Sequence, residues 1–315
     1  MAKKFIVGID LGGTNLKIGL LDLKYNIKLK IILTTKRFFK KEELIWAIIN
    51  SVNNIIQEKK LKKSEILGIG LGLPGPVNEK SGIVHFFPNI PGWREVNLKQ
   101  ILQERLKLPV ALDNDAKLMC LAEYKLGAAK GFKNALCLTL GTGVGSGLII
   151  EGELYRGANN ASGEIGHMPI NENGPRCNCQ RIACLESYIG NNRIIKQARR
   201  VFKRAISLEE LSGLAKKTCR PSGRQNKQAL NIWLKVGAHL GIALAGIVNL
   251  LNLDAIVIGV GVSNAGPILF GKVRKTISQR AMSVQAKSVK IVKAQLGNNA
   301  GMIGAALLVR KDRVV

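Results

Sequence analysis

The densest group of reactive side chains lies between Gly163 and Glu186, where the chain reads G-E-I-G-H, then nine residues, then C-N-C-Q-R-I-A-C-L-E. One imidazole, His167, and three thiols, Cys177, Cys179 and Cys184, make up the ligand set of a tetrahedral zinc ion. Four protein ligands with no open position mean a structural metal that folds the loop around it. Glu164 and Glu186 flank this zinc loop (167–184), so the ion would hold two carboxylates in place. Three of the six cysteines fall within eight residues, a density that unrelated cytosolic thiols do not explain. Of the others, Cys120 and Cys137 sit in apolar runs as small buried hydrophobes, and Cys219 stands apart.

Two glycine turns supply a second kind of chemistry. In V-G-I-D-L-G-G-T-N-L-K-I-G-L-L-D, apolar alternation brackets Gly12, Gly13 and Thr14; in C-L-T-L-G-T-G-V-G-S-G-L-I-I-E-G it brackets Gly141, Thr142 and Gly143. Each reads as a hairpin whose turn offers backbone N–H groups and a threonine hydroxyl to an anion, because glycine lets the backbone approach closely. The match between the turns points to an internal duplication sharing a phosphate site. A later strand, A-I-V-I-G-V-G-V-S, runs into Gly259 and Gly261 and could cradle a nucleotide or simply be a buried strand and turn. The triplet Asp113-Asn114-Asp115 ends the strand L-P-V-A-L and opens a helix. An aspartate there is either a helix cap or a carboxylate placed where α/β proteins keep their catalytic groups.

The elements that must position these groups are legible by period. Helical spacing runs over 42–58, 96–106, 115–124, 193–204, 208–217 and 229–251, and strands precede or follow each glycine motif. With 315 residues, 46% apolar content and 34 glycines, the chain suits an α/β protein of two domains. The first strand begins at Phe5, which argues against a signal peptide, and no uninterrupted apolar run suggests a membrane span; a cytoplasmic protein is expected. The formal net charge of +27 is spread over helices and loops, as at Lys59-Lys60 and Arg199-Arg200, without interleaved aromatic residues. It reads as a solvated surface rather than as a nucleic-acid face.

These motifs together resemble the sugar kinases of the ROK family (repressors, open reading frames and kinases), most of all its glucose-phosphorylating branch. The resemblance runs the whole length: G-I-D-L-G-G-T-N at 8–15, P-G-P-V-N at 74–78, D-N-D-A at 113–116, L-G-T-G-V-G-S-G at 140–147, G-E-I-G-H at 163–167, C-N-C-Q-R-I-A-C-L-E at 177–186 and V-I-G-V-G-V-S at 257–263. It implies the actin-like ATPase (ribonuclease H-like) fold, two α/β domains with a cleft between them. The small domain is expected over 1–112, joined by a C-terminal helix at 299–315, and the large one over 113–298.

The resemblance further implies ATP-dependent phosphorylation of a hexose, glucose to glucose 6-phosphate first, with N-acetylmannosamine or fructose as the alternative sugar. Asp10, Gly12, Gly13, Thr14 and Lys17 would hold phosphate, with magnesium on Asp10. Gly141, Thr142 and Gly143 would form the second phosphate turn, and Gly259 and Gly261 would border the adenosine. Asn89, Asn114, Asp115, Glu164, His167 and Glu186 would surround the sugar, with Asp115 as general base, and His167, Cys177, Cys179 and Cys184 would bind zinc. A homodimer is implied, with no membrane partner. Sugar-sensing repressors of the family share these motifs but carry an N-terminal winged helix, which is not expected here. Four positions depart from the family pattern: Gln180 and Ala183 stand where glycine is usual, Val260 replaces the middle of three glycines at 259–261, and Asn298 stands where an acidic residue is common.

Overall fold

The computed structural model describes residues 3–87, 92–217, 223–259 and 261–311. It divides into two compact units, the first comprising residues up to Leu126, Leu154–Ser162 and the chain from Asn298 onward, the second Gly127–Glu153 and Gly163–Gly297. This division sets the helix after Asp115 and the short 154–162 segment in the first unit, past the boundary at 112 suggested by the sequence.

The first unit is built on a five-stranded sheet of order β3-β2-β1-β4-β8. Its strands are β1 (Phe5–Leu11), β2 (Asn15–Asp22), β3 (Ile27–Thr34), β4 (Ile66–Leu73) and, after the small antiparallel sheet β5 (Val77–Asn78), β6 (Ile83–Phe86) and β7 (Arg94–Asn97), β8 (Val110–Asn114). β1 to β3 form antiparallel hairpins, while β4 and β8 join in parallel. Helix α1 (Lys41–Glu58) starts where the Glu43 carboxylate accepts the N–H groups of Phe39 and Lys40 at 2.8 and 3.3 Å. Helix α2 (Leu98–Leu106) starts where Asn97 Oδ1 accepts the N–H of Gln100. Both are N-terminal caps that satisfy otherwise orphaned donors. Helix α3 (Asp115–Leu126) follows β8 directly.

Period-two alternation decides what β1 can do. Val7, Ile9 and Leu11 join the core with Leu44, Ile48 and Ile55 of α1, so Gly8 and Asp10 face the opposite way. That other face is covered by the C-terminal helix, Ala300–Lys311, whose backbone lies almost on the sheet. A Cβ on Gly70 would overlap the Ala305 carbonyl oxygen, and one on Gly304 would overlap that of Leu118 in α3. Only glycine permits this approach, and the helix end it seats bears on Asp10. Gly70→Ala is therefore expected to cost about 3 kcal/mol, because neither obstructing atom is a movable side-chain tip; a denaturant midpoint equal to that of the unsubstituted protein would refute this packing.

The second unit repeats the pattern. Its sheet, β9 (Ala135–Leu140), β10 (Val144–Ile150), β11 (Glu153–Tyr155), β12 (Ala255–Gly259) and β13 (Lys290–Lys293), has the order β11-β10-β9-β12-β13. β9 and β10 are an antiparallel hairpin, and β12 and β13 run parallel to β9. Two sheets of matching strand order, each with a glycine turn between its first two strands, are what an internal duplication predicts. The helices of this unit are α4 (Glu186–Ile189), α5 (Asn191–Phe202), α6 (Leu208–Lys216), α7 (Arg224–Leu251), α8 (Pro267–Arg280) and α9 (Ser283–Ser288).

Helix α7 is long and apolar enough by composition to cross a membrane, although Lys235, His239 and Asn249 interrupt its apolar run. Its Ile232, Trp233, Val236, Leu240, Leu244 and Val248 are instead packed into the core of the unit. Gly237 and Gly241 bring it close to Lys272 and Thr276 of α8. A helix apolar nearly all round is buried in a core as readily as in a bilayer, and here it forms that core.

Candidate active site

In the first unit the Gly12-Gly13-Thr14 turn is held from two sides. Gly12 N–H donates to Asn15 O at 2.9 Å, while Thr35, just past β3, donates its hydroxyl to Gly12 O and its N–H to Thr14 O, both at 2.9 Å. Gly13 and Thr14 remain exposed at the tip. Asp10 and Lys17 are register partners across β1 and β2, and Lys17 Nζ lies 3.0 Å from Asp10 Oδ2. The same ammonium donates to the backbone oxygen of Asn298 at 3.1 Å. A Cβ on Gly301 would lie 2.6 Å from Asp10 Cγ, so the carboxylate sits against the first turn of the C-terminal helix, where the helix dipole favours negative charge. One carboxylate beside a lysine and a glycine turn suits a magnesium ion that keeps most of its ligands as phosphate oxygens and water.

The D-N-D triplet separates into three tasks. Asp113 is fully buried and accepts Arg156 Nε and a terminal guanidinium nitrogen at 3.0 and 2.9 Å; Glu79 approaches Arg156 at 3.5 Å. Asn114 is the cap: its Oδ1 accepts the N–H groups of Ala116 and Lys117 at 3.1 and 3.2 Å, and its Nδ2 donates to Gly75 O in the P-G-P turn. Asp115 is half-buried at the start of α3, one oxygen accepting the N–H of Ala116 at 2.8 Å. Neither aspartate is therefore the principal cap of α3. Arg156 and Glu79 went unnoticed in the sequence because the ion pairs of Arg156 with Asp113 and with Glu79 span 43 and 77 residues. Asn89 lies outside the described residues, as does Cys219.

In the second unit the four metal-ligand candidates converge, every ligand atom within 4.8 Å of the others. Cys179 Sγ and Cys184 Sγ are 3.7 Å apart, and Cys177 Sγ is 3.8 Å from His167 Nδ1. A tetrahedron with metal–sulfur bonds of about 2.3 Å has edges of about 3.8 Å, so this donor set fits zinc. Nδ1 faces the thiols, which leaves Nε2 on the side of Glu164, 4.0 Å from Oε2. Burial and the neighbouring Cys179 push the Cys184 thiol up to about 12. Burial also works against the Cys179 thiolate, but the Arg181 N–H and the Cys177 and Cys184 thiols outweigh it and hold that pKa below the ordinary thiol value. Gln180 and Ala183, both at glycine positions of the family, have left-handed φ of 69° and 56°, the backbone conformation that glycine adopts without cost.

Glu186 connects this loop to the second glycine turn. Its Oε2 accepts the Val144 N–H at 2.9 Å, and its Oε1 is 3.9 Å from Cys177 Sγ. A Cβ on Gly143 would lie 2.6 Å from Oε2, so any larger residue there would displace the Glu186 carboxylate. The Cys/His loop and the second glycine turn therefore share a carboxylate. Asn191, not singled out by its sequence context, donates its N–H to Gly141 O and sets its side-chain amide beside Gly261, with Oδ1 buried and unpartnered among the protein's own groups. Gly259 and Gly261 flank the end of β12 at that place.

A model of the ROK family matches residues 6–312. The chain is 35% identical to a glucokinase of Halalkalibacterium halodurans, over 99% of this chain and 97% of that protein. It is 33% identical to a glucokinase of Thermotoga maritima, over 100% and 99%. Among solved structures, a ROK family glucokinase of Streptomyces griseus in complex with glucose and AMPPNP superposes with a TM-score of 0.83 at 28% identity, covering 98% of this chain and 99% of that one.

Proposed function

Since the chain belongs to the ROK family, with the actin-like ATPase fold of that family's sugar kinases, we propose that it is a glucokinase in which Asp115 is the general base. It transfers the terminal phosphoryl group of ATP to a hexose. Asn114 carries this reading: because it takes the cap of α3, the Asp115 carboxylate is not needed to hold the helix. Asp115 accepts the proton of the sugar 6-hydroxyl as its oxygen bonds to the γ-phosphorus, the bond from that phosphorus to the bridging oxygen breaks, and ADP departs. Phosphoryl transfer asks a protein chiefly for positioning and for stabilisation of charge on the transferred group.

Each unit contributes its share. Asp10, Gly12, Gly13, Thr14 and Lys17 in the first, and Gly141, Thr142 and Gly143 in the second, offer donors to the phosphates; Gly259, Gly261 and Asn191 border the nucleoside. Asn89, Asn114, Asp115, Glu164, His167 and Glu186 hold the sugar hydroxyls. Magnesium on Asp10, when bound, neutralises charge on the phosphate oxygens, and zinc held by His167, Cys177, Cys179 and Cys184 orients Glu186 and the imidazole. The enzyme is proposed to work in the cytoplasm, in carbohydrate metabolism, as a homodimer.

A coupled assay over a hexose panel tests the reading, with ATP and polyphosphate as parallel donors. Activity with ATP is expected to be highest on glucose and at least about tenfold lower for sugars altered at carbon 3 or 4, since a site built for a hydroxyl leaves buried polar groups unpaired when it is missing. A higher kcat/KM on N-acetylmannosamine or fructose would move the assignment to the alternative sugar. No turnover of any hexose would point to a sugar-sensing regulator.

A further inference from the structure

We infer that the second unit carries a separate anion site for a small ligand bearing two or more phosphate groups, in a cavity between α4, α5 and α7. The cavity has a volume of about 510 Å³, and its walls include Arg193, Lys196, Arg200, Lys235, His239 and Ser187. None of these residues belongs to the glycine turns or to the groups assigned to sugar or nucleotide. The three cations of α5 recur at spacings of three and four residues, which sets them on one helix face, and Lys235 and His239 share a face of α7 in the same way. No carboxylate lines the cavity to neutralise them.

Two observations separate this cavity from the generally basic surface. Ser187, on the cavity wall, is only 6% exposed, and among the described residues its Oγ has no hydrogen-bond partner; a buried hydroxyl in a native protein is ordinarily satisfied, so this wall holds an unmet hydrogen bond. The wall is also rigid: the Tyr188 hydroxyl accepts from Asn171 Nδ2 at 3.1 Å, and its ring lies 4.6 Å from that of His239. Burial and the Lys235 ammonium hold His239 below its ordinary pKa, so a neutral imidazole stands beside four permanent cations.

Charge decides the ligand class. A phosphate group carries about −1.5 to −2 at neutral pH, so four cations match two or more such groups better than one. The concave shape suits a small molecule rather than a polymer backbone, for which cations form an open stripe. Inorganic pyrophosphate and a sugar bisphosphate share this chemistry. The Arg199-Arg200 cluster that stood out in the sequence thereby acquires a use at one of its two members.

Calorimetric titration of the full-length protein, with its nucleotide site filled by AMPPNP, tests the site using inorganic pyrophosphate, fructose 1,6-bisphosphate and orthophosphate in separate arms. Pyrophosphate or the bisphosphate should bind with a Kd below about 1 mM and more tightly than orthophosphate. The arm that binds tighter identifies which of the two the cavity prefers. Lys196→Gln with Arg200→Gln, both on the exposed side of α5, should weaken binding at least about tenfold and leave glucose phosphorylation in the absence of the anion unchanged. No binding at millimolar concentration in any arm, or undiminished binding in the Lys196→Gln, Arg200→Gln protein, would overturn the inference.

Discussion

Asp115→Asn is expected to lower kcat/KM for glucose by about 10²–10⁴, the range that general-base removal typically costs, while leaving stability and glucose binding close to those of the unsubstituted protein. The amide preserves the shape of the side chain and the oxygen that accepts the Ala116 N–H, but it cannot take the proton of the attacking hydroxyl. Asn114→Ala is the informative contrast. That change removes the acceptor for the Ala116 and Lys117 N–H groups and should cost about 1 kcal/mol of stability, as loss of a cap does. Retention by Asp115→Asn of more than about a third of the activity would show that proton transfer does not depend on this carboxylate.

Loss of the metal centre should have the other large effect. Protein purified without chelator is expected to hold one zinc per chain. Cys184→Ser, which alters a fully buried ligand, should abolish stoichiometric zinc and depress activity by about 10²-fold, as disruption of the groups around a metal commonly does. Because Glu186 contacts Cys177 on one side and the Val144 N–H on the other, KM should rise for ATP as well as for glucose. A rise confined to glucose would mean that the second phosphate turn stands without the metal loop. Zinc retention should also weaken as pH falls, because the thiols must bind the ion as thiolates and protons compete for them. Burial and its neighbours already keep the Cys184 thiol protonated in the absence of metal. Absence of stoichiometric zinc in freshly prepared protein would refute the structural role.

Much of this chemistry was legible in the chain alone, because its signals are local. Backbone periodicity placed α1, α3, α5, α6 and the core of α7, and the paired glycine turns announced two hairpins of one design before either sheet was visible. Four candidate zinc ligands within eighteen residues needed only their spacing to be noticed, and the fold brings their ligand atoms within 4.8 Å of one another. Helix α8 and strands β11 and β13 were not singled out: α8 opens with a proline and carries a glycine, and the short strands offer too few residues for a period to emerge.

What the tertiary structure alone decided concerns pairs distant in sequence. No local rule could assign Asp113 to Arg156, Asn114 to Gly75, or the basic faces of α5 and α7 to one cavity. The division of labour within D-N-D follows from those partners, since three adjacent polar residues have the same local propensities and differ only in what the fold brings against each. The tie from the zinc loop to the second glycine turn is of the same kind. Glu186 reads in the sequence as a carboxylate flanking the Cys/His loop, and only the packing of α4 against the start of β10 ties it to the second glycine turn as well.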